Sequence, residues 1–191
     1  LKKLYNSVML RMNGTIAISN FIHDHIKKNY TFKKNPIQTI ERGIDLNFFD
    51  PKSISKNDIK NAIKKYDLKE DSIKILLPAR VTEWKGHLIL VDAVSQLLEK
   101  KVLNIEVLFF GPDQNKLLKE KIENSIRQKN LQHIIKFYGS TKKMNLIYAL
   151  SDIVISSSTD PEAFGRVSIE AQAMGKLIIA SAHGGSQETI L

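Results

Sequence analysis

Two glutamates eight positions apart, Glu162 and Glu170, stand in the stretch PEAFGRVSIEAQAMG (161–175) around the start of a helix-like segment. A carboxylate is an acceptor-only group, suited to the vicinal hydroxyls of a sugar or a ribose. Glu170 falls roughly a turn and a half into that segment. Beside it are Ala171, Ala173 and Gly175, whose small side chains let a ligand or another segment approach closely. A glycosidase pair would hold its carboxyls about 5–9.5 Å apart across a sugar, a distance that sequence spacing does not set. The loop before the helix offers unpaired N–H groups at Phe164, Gly165 and Arg166, and there the free donors and the helix dipole together favour an anion. The plainer reading of Glu162 is a helix cap.

Two cations complement these acceptors. Arg80 and Lys85 lie in ARVTEWKG (79–86). Arg, through its planar fork, and Lys, as a mobile point charge, can hold a diphosphate and stabilise the charge that develops on a leaving phosphate. Against this stands a helix-start loop with ordinary surface cations. Trp84 reads as a lid over apolar surface. His23 and His25 form an HDH triplet that suits a solvated helix start better than a metal site, and His183 stands at a strand end near the proposed chemistry. GPDQ (111–114) lacks the spacing of a dinucleotide fingerprint, and no GxxxxGK[ST] loop is present.

These residues need a frame that gathers them. Apolar runs at 73–79, 105–111, 152–158 and 176–182, with a weaker one at 134–140, predict strands buried on both faces. Helical patterns at Gly86–Lys100, Asn115–Lys129, Lys142–Leu150 and Phe164–Met174 alternate with them. That alternation predicts an α/β fold with a Rossmann-like, doubly wound parallel sheet. Ligands bind beyond the carboxyl ends of such strands, where Arg80, Lys85, Gly111, Gly139, Ser156 to Glu162 and His183 to Gly185 all fall. The first 50 residues keep a different rhythm: a helix over Leu1–Asn13, a strand at 15–19, a helix over Asn20–Asn29, then a connection through PIQTIERGIDLNFFDP. A further helix is expected near Asn57–Tyr66.

The chain has 191 residues, 42% of them apolar, and no cysteine, so disulfides and thiolate metal sites are excluded. The formal charge of +9 raises the question of nucleic acid, yet only five of the 29 basic residues are Arg (11, 42, 80, 127 and 166). A solvated Lys surface accounts for the excess first, and attraction to an anionic membrane face or ligand second. No run approaches the roughly 18 apolar residues of a membrane span. A cytoplasmic placement, peripheral on the inner face of a membrane, is the expectation.

Taken together, Glu162-x7-Glu170 with AFGRVSIEAQAMG, ISNFIHDHIKKNY with IQTIERGIDLNFFDP, ILLPARVTEWKGHLILVDA, VLFFGPD, IKFYGS and SDIVISSS resemble, in order, the retaining glycosyltransferases of the GT-B architecture. The resemblance is to the group 1 transferases known as glycosyltransferase family 4, and it runs from about residue 15 to the end. It implies that residues 1–45 are the tail of an acceptor domain and that 46–191 form a nucleotide-sugar donor-binding domain, incomplete at its C-terminus and inactive alone. It implies that Arg80 and Lys85 hold the donor diphosphate, assisted by the backbone of Phe164, Gly165, Arg166 and Val167. Glu162 would contact the transferred sugar and Glu170 the ribose, with Gly111 near the donor and the base resting near Tyr138, Gly139 and Ser140. The donor would be a UDP, GDP or ADP sugar, used as co-substrate without a cofactor or metal. The acceptor would be a sugar or lipid-linked hydroxyl in surface polysaccharide or glycolipid synthesis. The family's usual Asn-Gly turn is Arg42-Gly43 here, and its glycine-rich segment is reduced to Gly111-Pro112. Two other classes fit less well: a GT-B nucleotide-sugar hydrolase or epimerase, and a basic α/β module for nucleic acid or membrane, in which the two carboxylates would repel a phosphate backbone.

Overall fold

The computed structural model describes residues 6–8, 13–30, 36–101 and 104–191. The helix expected over Leu1–Asn13 falls largely outside them. In chain order the elements are β1 (Thr15–Ala17), α1 (Asn20–Asn29), β2 (Ile37–Thr39), α2 (Lys56–Lys65), β3 (Ile73–Pro78), α3 (His87–Glu99), β4 (Ile105–Phe110), α4 (Lys116–Gln128), β5 (Ile135–Gly139), α5 (Met144–Leu150), β6 (Ile153–Ser156), α6 (Arg166–Ala173) and β7 (Leu177–Ala180).

Strands β3 to β7 form one parallel sheet in the order β5-β4-β3-β6-β7. Their side chains alternate between two cores, as a period of two requires. Ile75, Leu77, Val107 and Phe109 pack with Val91, Val94 and Ile122 of α3 and α4. Leu76, Leu108 and Phe110 face the other way, onto Ala62, Ile147, Tyr148 and Ala171 of α2, α5 and α6. Burial on both faces explains why these strands read as unbroken apolar runs rather than alternating ones.

The chain moves outward from β3 through β4 to β5, then returns to lay β6 on the opposite side of β3. The strand order therefore reverses between β3 and β6. A crevice opens at the carboxyl ends of such a pair, because the two flanking connections leave toward opposite faces. Arg80 to Lys85 follow β3 and Ser157 to Glu162 follow β6, so both segments end at this switch point.

The segment read as a connection through PIQTIE instead contains β2, paired in parallel with β1 from Thr15↔Ile37 to Ala17↔Thr39. Three residues carry too little periodicity to distinguish such a strand from a loop. This small sheet is fastened to the large one by α1. Its N-cap Ser19 accepts from the Ile22 amide and donates to Ala163 O at 2.6 Å, while Glu188 accepts from the amides of Asn20 (2.7 Å) and Phe21 (2.6 Å). A carboxylate at a helix N-terminus satisfies otherwise unpaired donors and complements the dipole.

His87 opens α3 and is 2% exposed, its ring packed on Phe109 and stacked near Phe137. Neither ring nitrogen has a partner among the described residues. Burial, and secondarily the charge of Lys85, lowers its pKa from 6.5 to about 4. The folded chain thus holds this imidazole neutral where the unfolded chain would protonate it. The resulting stability is complete above about pH 6.5 and is lost as pH falls through about 4, an effect on the order of 3 kcal/mol. Urea unfolding followed across that window will show the decline, and His87→Leu will flatten it.

Candidate functional site

The turn after β3 is built to present Lys85. Gly86 takes a left-handed conformation (φ 71°), and a Cβ on it would lie 1.9 Å from Ser157 O at the end of β6. Ser157 Oγ donates to the carbonyls of Lys85 (3.3 Å) and Gly86 (3.1 Å), stitching the turn to the neighbouring strand. Gly86→Ala should therefore lower stability by on the order of 3 kcal/mol, combining strained φ with a backbone clash, measurable by chemical denaturation.

From this turn Lys85 Nζ reaches Glu162 Oε1 at 2.5 Å and lies 4.2 Å from the centroid of the Trp84 ring. Trp84 thus serves as a face for the ammonium rather than as a lid over apolar surface. Ser158 Oγ donates to the same Glu162 oxygen at 2.6 Å. The lysine and glutamate side chains are 13% and 15% exposed, which sets the pair apart from a freely solvated surface bridge. Glu162 does not cap α6. The cap residue is Gly165, at φ 94° and with no side-chain acceptor, so the cap's side chain satisfies none of the first N–H groups of α6, of which Ser168 N bonds back to Gly165 O at 3.0 Å.

Glu170 lies farther along α6, 8% exposed. Tyr148 donates its hydroxyl to Oε2 at 2.8 Å, and Arg166 Nη2 donates to Oε1 at 2.7 Å. Burial first, and the Glu170 charge second, push the Tyr148 pKa well above its ordinary value, which keeps that hydroxyl a donor. Tyr148 from α5 and Arg166 one turn earlier on α6 therefore fix the orientation of the carboxylate.

Two adjoining clefts run between these groups. One, of about 350 Å³, is bordered by Gly111, Ser140, Thr141, Met144 and Glu170; the other, of about 380 Å³, by Trp84, Lys85, Glu162, Phe164 and Gly165. Arg80, Arg166 and Val167 border both, so the clefts form one trench with Glu162 toward one end and Glu170 toward the other. Among the described residues Arg80 makes only a 3.4 Å contact, with Gln114 Oε1.

Other anticipated residues lie outside the trench lining. Tyr138 stacks on Phe110 and donates its hydroxyl to Tyr66 O at 3.2 Å, on the α2 side of the sheet. Gly139 accepts from the Gly111 amide at 2.9 Å. His183 Nε2 is 2.9 Å from Ser158 O. His23 pairs with Asp24, and no group of three His, Asp or Glu suited to a metal occurs among the described residues. Sequence reasoning missed the Arg166 side chain, Tyr148 and Arg42, which borders the second cleft.

A match to the family model for glycosyl transferases group 1 covers residues 58–191. The chain belongs to the group 1 glycosyltransferases. Within that family it is similar to the lipopolysaccharide 1,2-N-acetylglucosaminetransferase of Salmonella typhimurium, at 30% identity over 76% of this chain and 39% of that protein. A glycosyltransferase of Rickettsia africae has the same fold at TM-score 0.87 and 39% identity, over 98% of this chain and 49% of that one. HepE of Anabaena, in a crystal structure with UDP and glucose, shares the fold at TM-score 0.87 and 24% identity, over 97% of this chain and 49% of that one. The group 1 chain described here thus spans less than half the length of these relatives. Its parallel sheet is that of the C-terminal domains of GT-B glycosyltransferases. No helix among the described residues is long and apolar enough to cross a membrane.

Proposed function

We propose that this chain is the donor-binding part of a retaining glycosyltransferase that moves a sugar from a nucleoside diphosphate to an acceptor hydroxyl. One observation supports the reading: a single trench at the switch point is bordered by Glu162, by Arg80, Lys85 and the N-terminus of α6, and by Glu170, an order that fits the sugar, the diphosphate and the ribose along such a donor. HepE of Anabaena, with UDP and glucose in its crystal structure, supports the ligand class. Residues 46–191 would form the donor domain, and residues 1–45 the end of the acceptor domain.

In the reaction the bond between the anomeric carbon and the diphosphate oxygen breaks, and the acceptor oxygen forms the new bond on the same face. The acceptor's proton passes to the departing diphosphate. No protein nucleophile is required. Arg80, Lys85 and the α6 amides stabilise the charge that collects on the leaving group. Lys85 must exchange part of its contact with Glu162 for phosphate oxygen, which releases Glu162 toward the sugar hydroxyls. The base would lie against Ser140 and Thr141, which border the Glu170 end. The pathway is surface polysaccharide or glycolipid synthesis, at the inner face of the membrane.

The finer reading is tested on the product. Proton NMR of the new glycosidic bond should show the donor's anomeric configuration retained. An inverted product, or free sugar released at the same rate without acceptor, would overturn it.

A further inference from the structure

The trench has a second wall, and its charge is not accounted for by the donor. The cleft at the Glu162 end is also bordered by Ile18 and Arg42, just after β1 and β2. Those two strands run parallel, so their carboxyl ends open on one side, and that side faces the carboxyl ends of β3 and β6 across the cleft. A small parallel sheet presents ligand-binding residues at this end for the same geometric reason as a large one.

Arg42 borders three adjoining cavities, of about 380, 540 and 340 Å³. It is exposed, and among the described residues its guanidinium has neither a hydrogen bond nor an ion pair. Of the other cations of the trench, Lys85 is paired with Glu162 and Arg166 with Glu170, and Arg80 makes a 3.4 Å contact with Gln114. Arg80 stands on the donor wall with Lys85 and the α6 N-terminus, which together match a diphosphate. Arg42 is surplus to that balance and sits opposite it. The 540 Å³ cavity adds Lys142, a second cation without a partner among the described residues, beside the apolar surface of Phe48 and Met144. Its carboxylates are Asp45, which accepts from the Asn47 and Phe48 amides, and Glu170, paired with Arg166, while Glu188, bound to the amides of Asn20 and Phe21, and Glu41 border the 340 Å³ one.

We infer that Arg42 anchors a second oxyanion site, and that the acceptor entering along the β1–β2 wall carries a phosphate or carboxylate close to the hydroxyl that receives the sugar. The inference rests on the donor reading above. A planar guanidinium fork suits both oxyanions equally, so the chemistry shared by a sugar phosphate and a uronic acid defines the ligand. Opposite walls for the two substrates also keep their negative charges on separate cations.

Side-chain NMR tests this directly, because the chain has only five arginines and each Nε–Hε signal can be assigned by substitution. The UDP-saturated chain would be titrated with glucose 6-phosphate, with glucuronate and with glucose. The expected result is a saturable shift of the Arg42 signal with one or both anionic sugars, binding roughly tenfold tighter than glucose, and loss of that advantage in Arg42→Gln. Whichever anionic sugar binds names the source as phosphate or carboxylate. If all three sugars behave alike, or if Arg42→Gln keeps the advantage, while UDP still binds, the inference is overturned and the donor reading stands. If UDP does not bind, the donor reading fails and the inference falls with it.

Discussion

Glu170→Ala should lower the affinity of this chain for its nucleoside diphosphate by roughly a hundredfold, the scale of two lost charge-assisted hydrogen bonds to ribose hydroxyls. The same substitution leaves the buried Tyr148 hydroxyl without its acceptor and Arg166 without its counter-charge. A loss of stability of about 1–3 kcal/mol should therefore accompany it. Glu170→Gln separates the two effects. The amide oxygen still accepts from Tyr148 and the half-exposed Arg166 can turn to solvent, so thermal stability falls less than in Glu170→Ala, while nucleotide affinity falls by roughly tenfold because the charge is gone. Calorimetric titration beside thermal unfolding reads both. Unchanged affinity in Glu170→Gln and Glu170→Ala alike would remove Glu170 from the ligand and leave it as a core carboxylate paired to Tyr148.

The second large effect concerns the Lys85–Glu162 pair, whose members should respond in opposite directions. Lys85→Ala removes a cation from the diphosphate and leaves the Glu162 carboxylate facing it, so nucleotide affinity drops by roughly thirtyfold or more. Glu162→Gln frees Lys85 from its competitor and removes a repelling charge, so nucleotide affinity holds or rises by about threefold. On the proposed reading, sugar transfer should nonetheless fall by about two to three orders of magnitude in Glu162→Gln, because the sugar would lose its charged acceptor. A merely structural salt bridge predicts something different: both substitutions would destabilise the fold and weaken nucleotide binding together. The double variant supplies the coupling between the two side chains.

Much of this frame was legible in the sequence, for identifiable reasons. Strands β3 and β4 are buried on both faces, and IKILLP and IEVLFF carry no polar residue that would disguise them apart from Lys74 and Glu106 near the amino end. The helix expected over Asn20–Asn29 has those bounds in the structure, with Ser19 as its N-cap. Strand order was a different matter. Alternation of strand and helix predicts a parallel sheet, but the return that sets β6 beside β3 is decided by packing across the whole domain.

The site shows the same division. Residues carried on the ends of strands, Arg80, Lys85 and Glu162, converge because the sheet's topology brings those ends together. Residues that act through a neighbour were invisible. Tyr148 reads as one more apolar member of α5, and nothing in its local pattern announces that its hydroxyl reaches Glu170, 22 positions away. Tyr138 stands at a strand end, yet its side chain alternates onto the α2 side of the sheet, where Phe110 and Tyr66 take it, a contact that the strand pattern does not disclose. Arg42 lies in a connection whose direction depends on β2, a strand too short to be recognised, so its place opposite the donor wall came only with the fold.

The trench between Glu162 and Glu170 should hold a nucleoside diphosphate. Titration calorimetry of the folded chain with UDP, GDP and ADP tests it most directly. The structure leads us to expect saturable one-to-one binding that favours one of the three bases and weakens in Lys85→Ala and in Glu170→Ala. Absence of binding by all three to a chain shown to be folded, or binding indifferent to both substitutions, would contradict the account.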